Sequence, residues 1–108
     1  MNEDIKVVTT YNIANVEILD HLGLVQGSTV RSRNVGSDIF AGLKNLVGGE
    51  LVGYSKLLKT SRDQAYARMI EDAKSKGADA ILGFRFQTST VAQGASEILA
   101  YGTAIKIK

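Results

Sequence analysis

The sequence predicts a small α+β domain with a largely antiparallel sheet covered by helices on one face. Three observations carry that expectation. The elements come in blocks, strands first, then helical periodicity, then a strand pair, rather than in βαβ alternation. The apolar spacing switches from period two to three-and-four and back again. Proline is absent among the 108 residues and glycine supplies the punctuation. A chain of this length is one domain, residues 1–108.

Residues 5–9 (Ile5-Lys6-Val7-Val8-Thr9) read as a short strand and Tyr11 to Asn15 as a loop. Residues 16–26 read as a longer strand with Val16, Ile18, Leu22 and Leu24 on one face and Leu19 and Val25 on the other. Gly27-Ser28 marks a turn or bulge, after which Thr29 to Arg33 can continue the strand. Ser37-Asp38 offers a helix start, followed by Ile39, Phe40, Leu43, Leu46 and Val47 at helical spacing and a stop at Gly48-Gly49. A second helix begins near Glu50, with Leu51, Tyr54, Leu58, Ala65, Met69 and Ala73 on one face. Ser61 with Gln64 has capping-box spacing and predicts a break near residue 60. Lys74, Lys76 and Gly77 form a C-terminal signal: cations for the dipole, then a residue that accepts positive φ.

Two strands close the chain around a hairpin link at Ala92-Gln93-Gly94. Ala80, Leu82, Phe84 and Phe86 share one face of the first; Leu99, Tyr101, Ile105 and Ile107 share one face of the second. This register sets Phe84 opposite Tyr101, Phe86 opposite Leu99 and Gly83 opposite Gly102, with a bare stripe of Gly83, Ala100, Gly102 and Ala104 on the reverse face. The in-strand glycines Gly23, Gly83 and Gly102 mark bulges, curvature or close packing, or else line a ligand slot. Helices on one side leave Leu19, Val25 and Ile98 on the other. Wetting that face costs on the order of 25 cal/mol per Å² of apolar area, so a neighbouring copy is expected to cover it.

Apolar residues make up 44% and charged residues 22%, which places the chain with folded globular proteins rather than disordered ones. Thirteen basic against eleven acidic groups give +2, and the cations are scattered apart from Arg31/Arg33 and Lys56/Lys59/Arg62. That pattern argues against nucleic acid as the partner. The absence of cysteine excludes disulfides and thiolate chemistry. No apolar run reaches the ~18 residues of a membrane span. The acidic Met1-Asn2-Glu3-Asp4 is no signal peptide, so a cytoplasmic location is expected.

One histidine and no cysteine cannot assemble a zinc or copper site within one subunit. Ligands repeated around a symmetry axis can, and the candidates are His21, Glu50, Asp79 and Glu97. Asp20 and His21 are adjacent in a strand and point to opposite faces, so they form no acid–base pair. The run from Arg31 through Arg33 and Asn34 to Ser37 leads into a predicted helix start. Two arginines beside free N–H groups there can hold an anion, or pair with carboxylates at a subunit contact, with Ser37 as a simple N-cap. No phosphate-binding glycine loop, nucleophile elbow or catalytic triad spacing is present. Glu71-Asp72 reads as a solvated helix face.

Taken in order, Gly27-Ser28-Thr29-Val30-Arg31-Ser32-Arg33-Asn34-Val35-Gly36, Asp38-Ile39-Phe40-Ala41-Gly42-Leu43 and Val47-Gly48-Gly49-Glu50 form a connected pattern. Ala65 and Met69, Gly77-Ala78-Asp79-Ala80 and Ala100-Tyr101-Gly102-Thr103-Ala104 continue it. Across essentially the whole chain this resembles the YbjQ-like family of uncharacterised bacterial proteins. The resemblance implies a dodecin-subunit-like α+β fold, a homopentameric ring and a heavy-metal-binding label. It implies no catalytic residue. Where relatives often read Pro-Gly before the long strand, Ala14-Asn15 stands here. The expectation is a non-enzymatic ring oligomer, without a cofactor, that binds a small ligand or protein partner at its subunit contacts, with Arg31, Arg33, Asn34, Ser37 and Glu50 as the polar groups. The alternative is a metal-binding protein whose ligands are shared between subunits.

Overall fold

The computed structural model describes residues 5–31, 51–92 and 95–108. These form β1 (Lys6–Val7), β2 (Ile18–Arg31), α1 (Leu51–Ser75), β3 (Ala80–Ala92) and β4 (Ala95–Ile107). The four strands make one sheet in the order β1-β3-β4-β2. β2–β4 and β3–β4 are antiparallel, while β1 lies parallel to β3. The α+β expectation with a largely antiparallel sheet holds, the short β1 pair making the sheet mixed. The helix expected over 37–47 lies outside the described residues.

α1 runs unbroken through residue 60, against the expected restart. Ser61 is buried, and its carbonyl accepts a hydrogen bond from Thr29 Oγ1 at 3.2 Å. That bond ties the middle of the helix to β2. The expected end is present. Gly77 has φ +73°, its N–H donates to the Lys74 carbonyl and the Ala78 N–H to the Ala73 carbonyl, which is a Schellman motif.

The core lies between α1 and the sheet. Ala65, Met69, Ile70 and Ala73 pack on Val25, Ile81, Ile98, Ala100 and Ala104, with Ile5 at the margin. Val25 and Ile98, expected on the far face, are therefore under the helix. A second cluster of Ile13, Ala80, Leu82 and Ile105 sits with Val8, Val16 and Ile18. Ala80 and Leu82 alternate with Ile81, so this cluster is on the opposite face, roofed at one end by the 8–16 segment. Asn15 turns that segment at φ +61°. A short amide side chain tolerates this region.

The β3–β4 register differs from the sequence expectation beyond Gly83. Leu82 faces Thr103 as expected, but Phe86 faces Ala100 and Arg85 faces Tyr101. Gly83, at φ +63°, forms a bulge that moves β3 by one residue. Phe84 and Phe86 thus swing to the helix side, where Phe84 meets Tyr66 edge-on at 5.5 Å between ring centroids and Phe86 at 4.9 Å. The expected common face of Leu82, Phe84 and Phe86 does not exist. β2 carries two further shifts, at Leu19 and Leu22, the second beside Gly23 at φ +100°. These undo its expected facing: Leu22 packs with the helix-side core while Leu24 is exposed on the outer face.

Candidate interaction surface

Opposed residues in an antiparallel pair share a face. On the side away from α1, successive rows read Leu24–Thr103–Leu82, Gln26–Tyr101–Arg85, Ser28–Leu99–Gln87 and Val30–Glu97–Ser89. Leu24 and Val30 are 58% and 56% exposed, and Leu99 and Tyr101 are half-buried. Between them stand Gln26, Ser28, Gln87 and Glu97. This is an apolar stripe with polar flanks. Arg85 is anchored at its margin, donating to the Thr9 and Phe84 carbonyls (3.1 and 2.7 Å) and lying 5.9 Å from the Tyr11 ring centroid.

The two long sheet edges differ. β1 pairs with β3 only at its start, and the last bond across that edge is the Phe84 N–H to the Val8 carbonyl. By alternation the amides of Phe86, Thr88 and Thr90 point outward, with no neighbouring strand among the described residues. The stretch Phe86-Gln87-Thr88-Ser89-Thr90 holds no charge and no proline, the usual protections of a free edge. On β2, by contrast, the Gln26 N–H donates to Asp72 Oδ2 at 3.0 Å and Arg68 Nη1 donates to the Ser28 carbonyl at 2.5 Å. The Lys76 hydrogen bond, then the Gln26 amide, hold the Asp72 carboxyl below its ordinary range against a small opposing effect of burial.

Among the described residues the sequence candidates do not converge. Arg31 ends β2 opposite Ser96, and Arg33, Asn34, Ser37 and Glu50 lie outside the described residues. His21 is exposed in the row of Ile105, whereas Glu97 is eight residues along β4, about 26 Å away at strand rise. Asp79 is committed to structure. It accepts the Ile107 N–H at 3.0 Å, which with Lys106 at 3.5 Å lowers its pKa. Among the described residues no three His, Cys, Asp or Glu side chains form a metal cluster. Glu97 is half-buried and has no hydrogen bond or ion pair among the described residues. The expected solvated pair divides: Glu71 is exposed, but Asp72 closes a strand edge. The overlooked signal was the spacing of Arg68 and Asp72, four apart and flanking the buried Met69.

The sequence model of a family described as "Putative heavy-metal-binding" (YbjQ) matches residues 5–108. The chain belongs to the YbjQ family. A UPF0145 protein of Halorubrum lacusprofundi is 54% identical over 92% of this chain and 95% of its own. One from Archaeoglobus fulgidus is 47% identical over the full length of both, and one from Clostridioides difficile is 51% identical over 94% of this chain and 91% of its own. Archaeal relatives correct the expectation of a bacterial family. A Pediococcus pentosaceus protein of unknown function, placed in a DUF74 family, superposes with a TM-score of 0.62 over 96% of this chain and 98% of its own. At 18% identity that similarity speaks for the YbjQ-family fold alone. No helix among the described residues is long and apolar enough to cross a membrane.

Proposed function

We propose that this YbjQ-family chain is a non-enzymatic subunit of a closed homo-oligomer, a ring in the simplest case, whose subunit contacts bind a small ligand or a protein partner. The observation that carries this reading is the uncharged β3 edge from Phe86 to Thr90, which has no neighbouring strand among the described residues, beside the apolar outer stripe of Leu24, Val30, Leu99 and Tyr101. An edge without charge, proline or cover is a pairing surface, and folded monomers protect such edges. A strand edge and a sheet face are also two different patches on one chain, as a ring contact requires. A native mass spectrum of gently desalted protein tests this. A uniform oligomer, with additional mass per assembly if a ligand is retained, supports it; a monomer at micromolar concentration refutes it.

The second reading is metal binding shared across a symmetry axis, and Glu97 favours it. Its half-buried carboxylate lacks a partner among the described residues and lies on the face offered to a neighbour. Repeated around an axis, such carboxylates form an oxygen-rich ring for a divalent ion. Titration calorimetry with zinc, copper and nickel discriminates. Heat that disappears in Glu97→Gln supports the shared site, and no heat with any of the three ends it for these ions.

A further inference from the structure

We propose that Arg68 and Asp72 of α1 are an edge guard that closes β2 to strand addition, so that among the described residues strand pairing between copies is left to the β1–β3 side of the sheet. The geometry begins at Gly27. A Cβ there would overlap the Met69 backbone nitrogen and lie 2.5 Å from the Ala65 carbonyl oxygen. Only glycine lets the helix backbone descend so far onto the strand. At that depth the side chains at 68 and 72, one turn apart on the same flank, straddle Gly27 and pass over the strand to its outer edge. Asp72 takes the outward N–H of Gln26 and Arg68 the outward carbonyl of Ser28. An acceptor and a donor thus occupy the sites where an added strand would place its own carbonyl and amide. Lys76, 2.9 Å from Asp72 Oδ1, holds the carboxylate in place from the following turn. The shifts at Leu19 and Leu22 spoil the register of the rest of this edge.

The consequence concerns assembly. A sheet with two open edges can add copies head to tail through its strands, into closed rings or open filaments, whereas a sheet with one open edge pairs once and stops. The guard limits strand pairing to one partner per chain, so an oligomer larger than a pair is completed through the outer sheet face.

Amide hydrogen exchange on the full chain and on Arg68→Ala/Asp72→Ala tests the guard together with its mass distribution. In the wild type, the Gln26 amide is expected to exchange more slowly than the Leu24 amide on the same edge, which has no partner among the described residues. In the double variant it is expected to exchange about tenfold faster, the loss of one charge-assisted bond. Species heavier than the wild-type oligomer are expected to accumulate with concentration. Adding Ser28→Pro, which removes an outward amide and no β4 bond, is expected to abolish them. A folded double variant with the wild-type mass distribution overturns the guard, as do heavy species that persist with proline at 28. Should the double variant not fold, the wild-type comparison decides: Gln26 exchanging as fast as Leu24 refutes the proposal.

Discussion

Single residues set the distances on which the packing depends. Gly27 is the clearest case, because a β-carbon would meet helix backbone, which cannot rotate aside as a side chain can. Gly27→Ala is therefore expected to cost about 1–3 kcal/mol, as overpacked interiors do, read as a lower urea midpoint with unchanged slope. Met69, fully buried beside it, should lose about 2–5 kcal/mol on truncation to alanine by the same assay. Asp72 adds a pH dependence whose sign follows from its lowered pKa. A carboxylate that binds protons more weakly when folded stabilises the fold above its unfolded value and loses that contribution as pH falls through its folded value. Wild type is expected to exceed Asp72→Asn in stability at pH 7. The gap should narrow as pH drops below the ordinary value of 3.8, and urea melts across that range would show it.

At the level of elements, period and punctuation carried much of the fold, and bulges limited the rest. The α1 stripe of Ala65, Met69 and Ala73 was legible because three- and four-residue spacing survives any register error, and Gly77 marked its end correctly. The sheet faces were legible only up to the first bulge. Gly83 was visible as an in-strand glycine, yet alternation alone does not say that the chain gains a residue there, and one residue inverts every later side chain. Phe84 and Phe86 consequently join Tyr66 on the helix side of the sheet rather than Leu82 on the other face. The edge guard escaped sequence reading because its two bonds join side chains to backbone across 40 and 46 residues, and no local pattern encodes that. Gly83 also supports a prediction. Its positive φ and the Tyr11 ring, 2.8 Å from where a β-carbon would sit, both oppose substitution. Gly83→Ala should cost at least the ~1–2 kcal/mol of a left-handed residue. If the bulge is what turns the aromatics inward, the same variant should also alter the near-ultraviolet circular dichroism of Tyr66, Phe84 and Phe86. A stability loss with unchanged aromatic signal would show that the bulge survives the substitution.

The whole molecule is extended for its length. Its radius of gyration is 17.0 Å, against about 13 Å for a compact domain of this size. In the β3–β4 hairpin every described residue from Arg85 to Ala92 is exposed. A hairpin that projects with a bare edge gains little from its own chain, and its stabilisation has to come from contact with another. Thr88 stands in the middle of that edge with its amide outward, so Thr88→Pro should remove the donor needed for pairing while sparing the bonds to β4. Light scattering coupled to size exclusion is expected to show the proline variant as a smaller species than wild type, with the same far-ultraviolet spectrum and intact helix content. An unchanged oligomer would move the contact from the strand edge to the outer face, where Leu24→Asp becomes the decisive substitution. Its apolar side chain is 58% exposed in the isolated subunit, so a charge there costs little unless a neighbour covers it. Dissociation by Leu24→Asp together with indifference to Thr88→Pro would therefore assign assembly to the face, and the reverse outcome would assign it to the edge.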